Sequence, residues 1–182
     1  IQNNQISNES EENNMYSTGK HHAEIVVKNY GTIALELDAD VAPITVENFA
    51  NLVNEGFYNG LTFHRIISGF MIQGGDPHGN GTGGSSKTIK GEFASNGVKN
   101  SISHVRGTIS MARSSMPNSA SSQFFIVHQD STFLDGQYAA FGTVTSGMEV
   151  VDKICADTAV EDDNGTVAKN NQPVIEKIIM MD

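Results

Sequence analysis

The run Phe63-His64-Arg65-Ile66-Ile67-Ser68-Gly69-Phe70-Met71-Ile72-Gln73-Gly74-Gly75-Asp76 decides how the chain is read. It sets one arginine among apolar residues, then adds a phenylalanine, a methionine, a glutamine and paired glycines. A guanidinium keeps its charge in a protein, so an arginine in such company has a fixed partner or a task. In isolation Arg65 reads as an edge-of-core residue tied to a carboxylate. The run itself predicts two short strands around a Ser68-Gly69 turn.

Upstream, Ala23, Ile25 and Val27 alternate with Glu24, Val26 and Lys28. After Asn29-Tyr30-Gly31, the residues Ile33, Leu35 and Leu37 alternate again, which predicts a β-hairpin. Asp40 is expected to cap a helix whose first turn holds Pro43, with Val46, Phe49 and Leu52-Val53 at helical spacing and Gly56 as its stop. Downstream, residues 77–104 read as a long loop. Strands are predicted over Gly107–Ala112, Gln123–Val127 and Tyr138–Thr145, a second amphipathic helix over Met148–Ala156, and a last strand around Val174–Ile179. Arg113–Ala120 reads as a polar connection and the acidic residues 161–163 as an exposed loop. The count is about eight strands with two widely separated helices. That suits a mainly β fold, a closed eight-stranded antiparallel β-barrel capped by two α-helices; spacing alone is equally compatible with an α+β sandwich.

Composition excludes several function classes. The 182 residues suit one domain with a tail, and the 18 glycines fit a turn-rich β protein. A formal net charge of −10 argues against nucleic-acid binding. A single cysteine, Cys155, rules out an intrachain disulfide and a multi-cysteine zinc site, and it reads as a buried apolar residue. Gly79-Asn80-Gly81-Thr82-Gly83-Gly84 matches a G-x-G-x-x-G spacing, but no apolar strand leads into it and no helix follows, so a groove-flanking loop is the better reading. No G-x-S-x-G elbow supports a hydrolase. Residues 1–21 read as a polar, disordered leader or tether, and residues 22–182 as the domain. A spacer behind a removed signal points to an extracytoplasmic setting, secreted or lipid-anchored, over a cytoplasmic one. His21 and His22 are taken as surface residues.

Five blocks then carry a resemblance: Phe63-His64-Arg65, Gly69-Phe70-Met71-Ile72-Gln73-Gly74-Gly75-Asp76, Gly81-Thr82-Gly83-Gly84, Ser122-Gln123-Phe124-Phe125-Ile126 and Leu134-Asp135-Gly136. In this order they resemble the cyclophilin family of peptidyl-prolyl cis-trans isomerases, in its bacterial form, over roughly residues 22 to 182. The resemblance implies a capped eight-stranded barrel, isomerisation of Xaa-Pro bonds in peptides and unfolded proteins to assist folding, no metal and no cofactor, and action as a monomer.

Rotation of a prolyl amide needs no bond cleavage. It needs a site that binds the twisted amide better than either planar form. By resemblance Arg65 is the donor to the pyramidal prolyl nitrogen and Gln73 its catalytic neighbour, which contacts the substrate backbone. Phe70, Met71, Phe125 and Leu134 match the apolar slot for the proline ring; each alone would pass for a core residue. Ala112, Arg113 and Gln123 align with the far wall, and Gly81 with a loop glycine that lets substrate approach the main chain. Phe133 and Tyr138 complete the substrate-binding set and depart from the family. Phe133 replaces a tryptophan of cyclosporin-sensitive members, so cyclosporin binding is expected to be weak, and Tyr138 replaces a histidine. Arg113 stands for an asparagine, in a segment one residue longer than in animal members. A binding-only module on the same fold is the rival reading, distinguished by whether the arginine is kept.

Overall fold

The computed structural model describes residues 15–182. Residues 20–27 and 31–38 form the expected hairpin, β1 (Lys20–Val27) and β2 (Gly31–Asp38), around a turn in which Asn29 takes a φ of 68°. Strand β1 starts ahead of the expected domain boundary, and Tyr16 is buried, so residues 15–21 belong to the folded unit. The rest of the expected leader lies outside the described residues. His21 is not a surface residue: its side chain is 12% exposed and its ring packs edge-on against Tyr16 at 5.0 Å, whereas His22 is exposed.

Helix α1 (Pro43–Asn54) has proline at its start, but its cap is not Asp40. Ala42 occupies the cap position without a side-chain bond, and Asp40 instead accepts the Gly19 N–H at 2.8 Å. The orphan donor is met from far away in sequence. Buried Glu92 accepts both the Thr45 N–H and its hydroxyl at 2.7 Å, an acceptor that neighbouring residues do not supply. Strands β3 (Phe63–Ile67), β4 (Met71–Gly74), β5 (Thr108–Met111), β6 (Phe124–Val127) and β7 (Ala140–Ser146) follow, then helix α2 (Met148–Asp157) and strand β8 (Ile175–Met180).

All eight strands form one antiparallel sheet in the order β3-β4-β6-β5-β7-β2-β1-β8. The fully closed barrel expected from the sequence is not formed, because no ladder joins edge strands β3 and β8. Near their starts one bridge, Thr62 to Val174, and short backbone bonds such as Ile175 N–H to Leu61 O at 2.7 Å link the two ends. Elsewhere the outer edge of β3 is covered by residues 165–167: the Ile66 N–H donates to Gly165 O at 2.8 Å and the Val167 N–H to His64 O at 3.0 Å. An uncovered edge would offer unpaired donors and acceptors to another chain.

Period-two alternation sorts the side chains onto two faces. Ile72, Phe124 and Ile126 turn inward and join Ile25, Ile33, Leu35, Phe49, Tyr58 and Phe141 in the main core, with the apolar stripes of both helices. Phe49 anchors it, its ring 5.3 Å from those of Tyr58 and Phe141 and 5.8 Å from that of Phe124. Met71, Phe125 and Val127 turn outward and, with Leu134, make a second apolar cluster on the opposite face. That outer cluster is where the site lies.

Candidate active site

The register places the site. Arg65 on β3 faces Gln73 on β4, Gln73 faces Phe125 on β6, and Met71 faces Val127. Between Phe63 and Arg65 the β3–β4 register shifts, so His64 is an extra residue in the ladder, the kind of bulge that re-aims side chains beside functional sites. A polar row therefore runs beside an apolar one on a single sheet face.

The polar row is hydrogen-bonded end to end. Arg65 donates through Nη1 to Gln73 Oε1 at 3.2 Å, Gln73 Nε2 to Gln123 Oε1 at 2.9 Å, and Gln123 Nε2 to Gly81 O and Gly83 O at 3.1 and 2.8 Å. The other side of the guanidinium is gripped by one residue. Nε donates to Asn164 O at 2.8 Å and Nη2 to Asn164 Oδ1 at 3.2 Å. The expected carboxylate partner is absent among the described residues, and every acceptor of Arg65 is neutral. Partial burial lowers the proton affinity of Arg65, with Tyr138 and Asp162 working the other way, and an arginine stays charged throughout.

Met71, Phe125 and Leu134 of the outer apolar cluster, with Phe70, Ala112 and Tyr138 packed against it, form the floor of a cleft of about 540 Å³, and Val127 and Ile67 complete the cluster behind them. Ten of the twelve candidate residues line it: Arg65, Phe70, Met71, Gln73, Gly81, Ala112, Arg113, Phe125, Leu134 and Tyr138. Gln123 lines an adjoining polar recess of about 250 Å³ beyond the Ala112–Arg113 wall. Phe133 is not brought into the cleft. It is 73% exposed on the turn Thr132–Leu134, its ring 5.6 Å from that of Phe70 at the rim.

Two departures from the family meet in space. The Arg113 guanidinium lies 4.8 Å from the ring centroids of both Tyr138 and Phe93, and donates from Nη2 to Gln137 O at 2.7 Å and from Nη1 to Ser114 O at 3.0 Å. Tyr138 in turn meets Phe125 edge-on at 5.9 Å, so a cation–π stack braces the pocket floor. The glycine-rich loop has its amides turned inward: His78, Asn80 and Gly81 donate N–H bonds to the Asp76 carboxylate at 2.8, 3.2 and 2.6 Å, which leaves none of these three for a phosphate. Cys155 is buried, and burial pushes its thiol up to about 11.

Several residues of the site were not expected. Asn164 grips Arg65, and Thr166, Val167, Lys169 and Gln172 form the wall opposite the apolar floor. Buried His64 lines the cleft with no protein partner for either ring nitrogen. Beneath Phe125, His104 stacks on its ring at 6.0 Å and bridges Asp135 and Ser110, each at 2.8 Å.

Burial lowers the imidazoles of His64 and His104 below their ordinary value of 6.5; Asp76 opposes this at His64 and Asp135 at His104, while Arg65 adds to it at His64. The unfolded chain therefore takes up protons on these two rings first as pH falls, and the native state loses stability from about pH 6.5 downward. Thermal unfolding followed from pH 8 to pH 5 should show a Tm that holds down to about pH 6.5 and falls below it. A Tm independent of pH there would contradict the neutral, buried assignment.

The family model described as cyclophilin type peptidyl-prolyl cis-trans isomerase/CLD matches residues 22–180. A probable peptidyl-prolyl cis-trans isomerase of Brucella suis biovar 1 (strain 1330) is 46% identical over 164 residues, 84% of this chain and 79% of that protein. Peptidyl-prolyl cis-trans isomerase B of Bacillus subtilis (strain 168) is 51% identical over 117 residues, 64% of this chain and 78% of that one. Among solved structures, a Cryptosporidium parvum cyclophilin type peptidyl-prolyl cis-trans isomerase, crystallised in the presence of the dipeptide Ala-Pro, superposes with a TM-score of 0.78 at 31% identity, covering 88% of this chain and 99% of that one.

Proposed function

The chain belongs to the cyclophilin-type peptidyl-prolyl cis-trans isomerases, and from that premise we propose how its cleft turns the Xaa-Pro bond. The proline ring of a peptide or unfolded chain sits on Met71, Phe125 and Leu134 between Phe70 and Tyr138. The residues before it lie along Ala112 and Arg113 toward Gln123, and Gly81 allows close approach of the substrate backbone. Gln73 steadies the peptide while Arg65 donates to the prolyl nitrogen as the amide twists and its lone pair localises. Planar ground states offer that nitrogen no free lone pair, so the bond strengthens only on the way to the transition state, where stabilisation accelerates. The Ala-Pro dipeptide present with the Cryptosporidium relative supports a proline-containing ligand for the same cleft.

The observation that carries this reading is the placement of a charged, neutrally held guanidinium at the edge of an apolar pocket. A lysine at position 65 would keep one charge and lose the planar fork held by Asn164. Arg65→Lys is therefore expected to lose about tenfold in kcat/KM, some 1.4 kcal/mol, with KM little changed. A protease-coupled proline-isomerisation assay reads this directly, and wild-type rates in the variant would contradict the role. Peptide binding without turnover in the wild type would make the cleft a binding module instead.

Phe133 presents its ring at the rim with no indole N–H, so cyclosporin inhibition is expected to be weak while isomerisation persists. Titration of the activity with the drug tests this; inhibition at stoichiometric concentrations would contradict it. The enzyme works as a monomer in this reading, since one chain completes the cleft.

A further inference from the structure

Arg65 is held by neutral groups, as is Arg113 on the far wall, whose guanidinium donates to the Gln137 and Ser114 carbonyls. Arg106 pairs with Asp152 through two bonds of 2.7 Å, and Lys20 with Asp38 at 2.7 Å. Arg65 has no such partner among the described residues: its three protein acceptors are a backbone carbonyl and two amide oxygens. Asp162 lies near enough to act on it, yet its carboxylate is occupied within its own turn, accepting the Thr166 N–H at 3.1 Å. That turn is a clasp on β3. Gly165 and Val167 bond its backbone on either side of the Arg65–Thr166 bridge, and Asn164 at the tip presents both oxygens to the guanidinium.

We propose that Asn164 is a positioning residue whose neutrality matters as much as its grip: it fixes the Arg65 fork without cancelling the charge that the twisted amide needs. The inference rests on the assignment of Arg65 as donor to the prolyl nitrogen. An aspartate in place of Asn164 would hold the fork at least as firmly, since charge-assisted bonds to guanidinium are the stronger ones. It would also turn the cation into half of a neutral pair, whose field at the substrate falls off faster than that of a lone charge. Grip and charge therefore make opposite predictions for one substitution. The other titratable groups that act on this guanidinium or line its cleft, His64, Tyr138, Glu161, Asp162 and Lys169, are the same in every variant compared.

The test compares Asn164→Asp with Asn164→Ala in the coupled assay, with peptide affinity and the on-enzyme interconversion rate read separately by exchange NMR on an Ala-Pro-containing peptide. Asn164→Asp should lose about tenfold or more in turnover at neutral pH with its Kd unchanged. Asn164→Ala, which keeps the main-chain bond to Nε, should lose less. Gln73→Glu, which puts a carboxylate on the other side of the fork, should fall in the same direction and guards against a local misfold at the turn. Asn170→Asp, adding the same charge to an exposed position outside the cleft, should match wild type. An Asn164→Asp as active as Asn164→Ala, or more so, overturns the proposal while leaving the role of Arg65 standing. If Arg65→Ala itself keeps wild-type turnover, the assignment beneath it falls first.

Discussion

Replacing Arg65 with alanine is expected to lower kcat/KM by roughly ten- to a thousandfold, at about 1.4 kcal/mol of lost transition-state stabilisation for each factor of ten. Arg113 and Lys169 also line the cleft, but among the described residues only Arg65 bonds the Gln73 amide, and Arg113 is tied to the Gln137 and Ser114 carbonyls, so neither stands in for the missing donor. The loss should fall on turnover more than on affinity, because the apolar floor of Met71, Phe125 and Leu134 does not depend on the guanidinium. Folding should be nearly unaffected. The side chain is partly exposed, and the oxygens it leaves behind on Asn164 and Gln73 can turn to water. A Tm close to wild type, measured alongside the coupled assay, separates a catalytic loss from an unfolded protein. Equal rates in the two proteins would contradict the mechanism.

A second large effect is expected at a glycine that touches no substrate. Gly165 has a φ of +81°, and an added Cβ would overlap the carbonyl oxygen of Ile66 and lie 2.7 Å from Ile67 Cγ1. Neither neighbour can yield easily, because Ile66 is bonded through its N–H to Gly165 O and lies in β3. Gly165→Ala therefore combines a left-handed backbone penalty with overpacking, about 2–4 kcal/mol together. The clasp should lift from β3 and carry Asn164 away from Arg65, so turnover falls along with Tm. A variant with wild-type Tm and turnover would show that the clasp is not held as described.

Much of this architecture was legible because alternation in a strand assigns faces without knowledge of the partner. Met71 and Gln73 share one face of β4 and Phe125 shares it on β6, so the strand pattern alone brings the three to one cleft once β4 and β6 pair. The features that local sequence does not encode are carried by long-range geometry. Glu92 caps α1 from 47 positions away, and Asp40, the plausible local cap, serves Gly19 instead. Asn164 sits among exposed acidic residues whose composition says only that they meet water; its role comes from a turn that folds back onto β3. The missing ladder between β3 and β8 has the same origin, since strand count cannot say whether the two ends pair. Phe133 was expected among the contacts because its family position is; the short turn that carries it leaves the ring on the rim.

The central claim is that Arg65 acts on the twisted amide and not on the bound ground states. Exchange NMR on a saturating Xaa-Pro peptide, with wild type and Arg65→Ala in parallel, measures cis–trans interconversion on the enzyme apart from affinity. The predicted result is a similar peptide Kd for the two proteins with interconversion slowed at least about tenfold in the variant. Interconversion at the wild-type rate in Arg65→Ala, or a loss wholly accounted for by weaker binding, would contradict it.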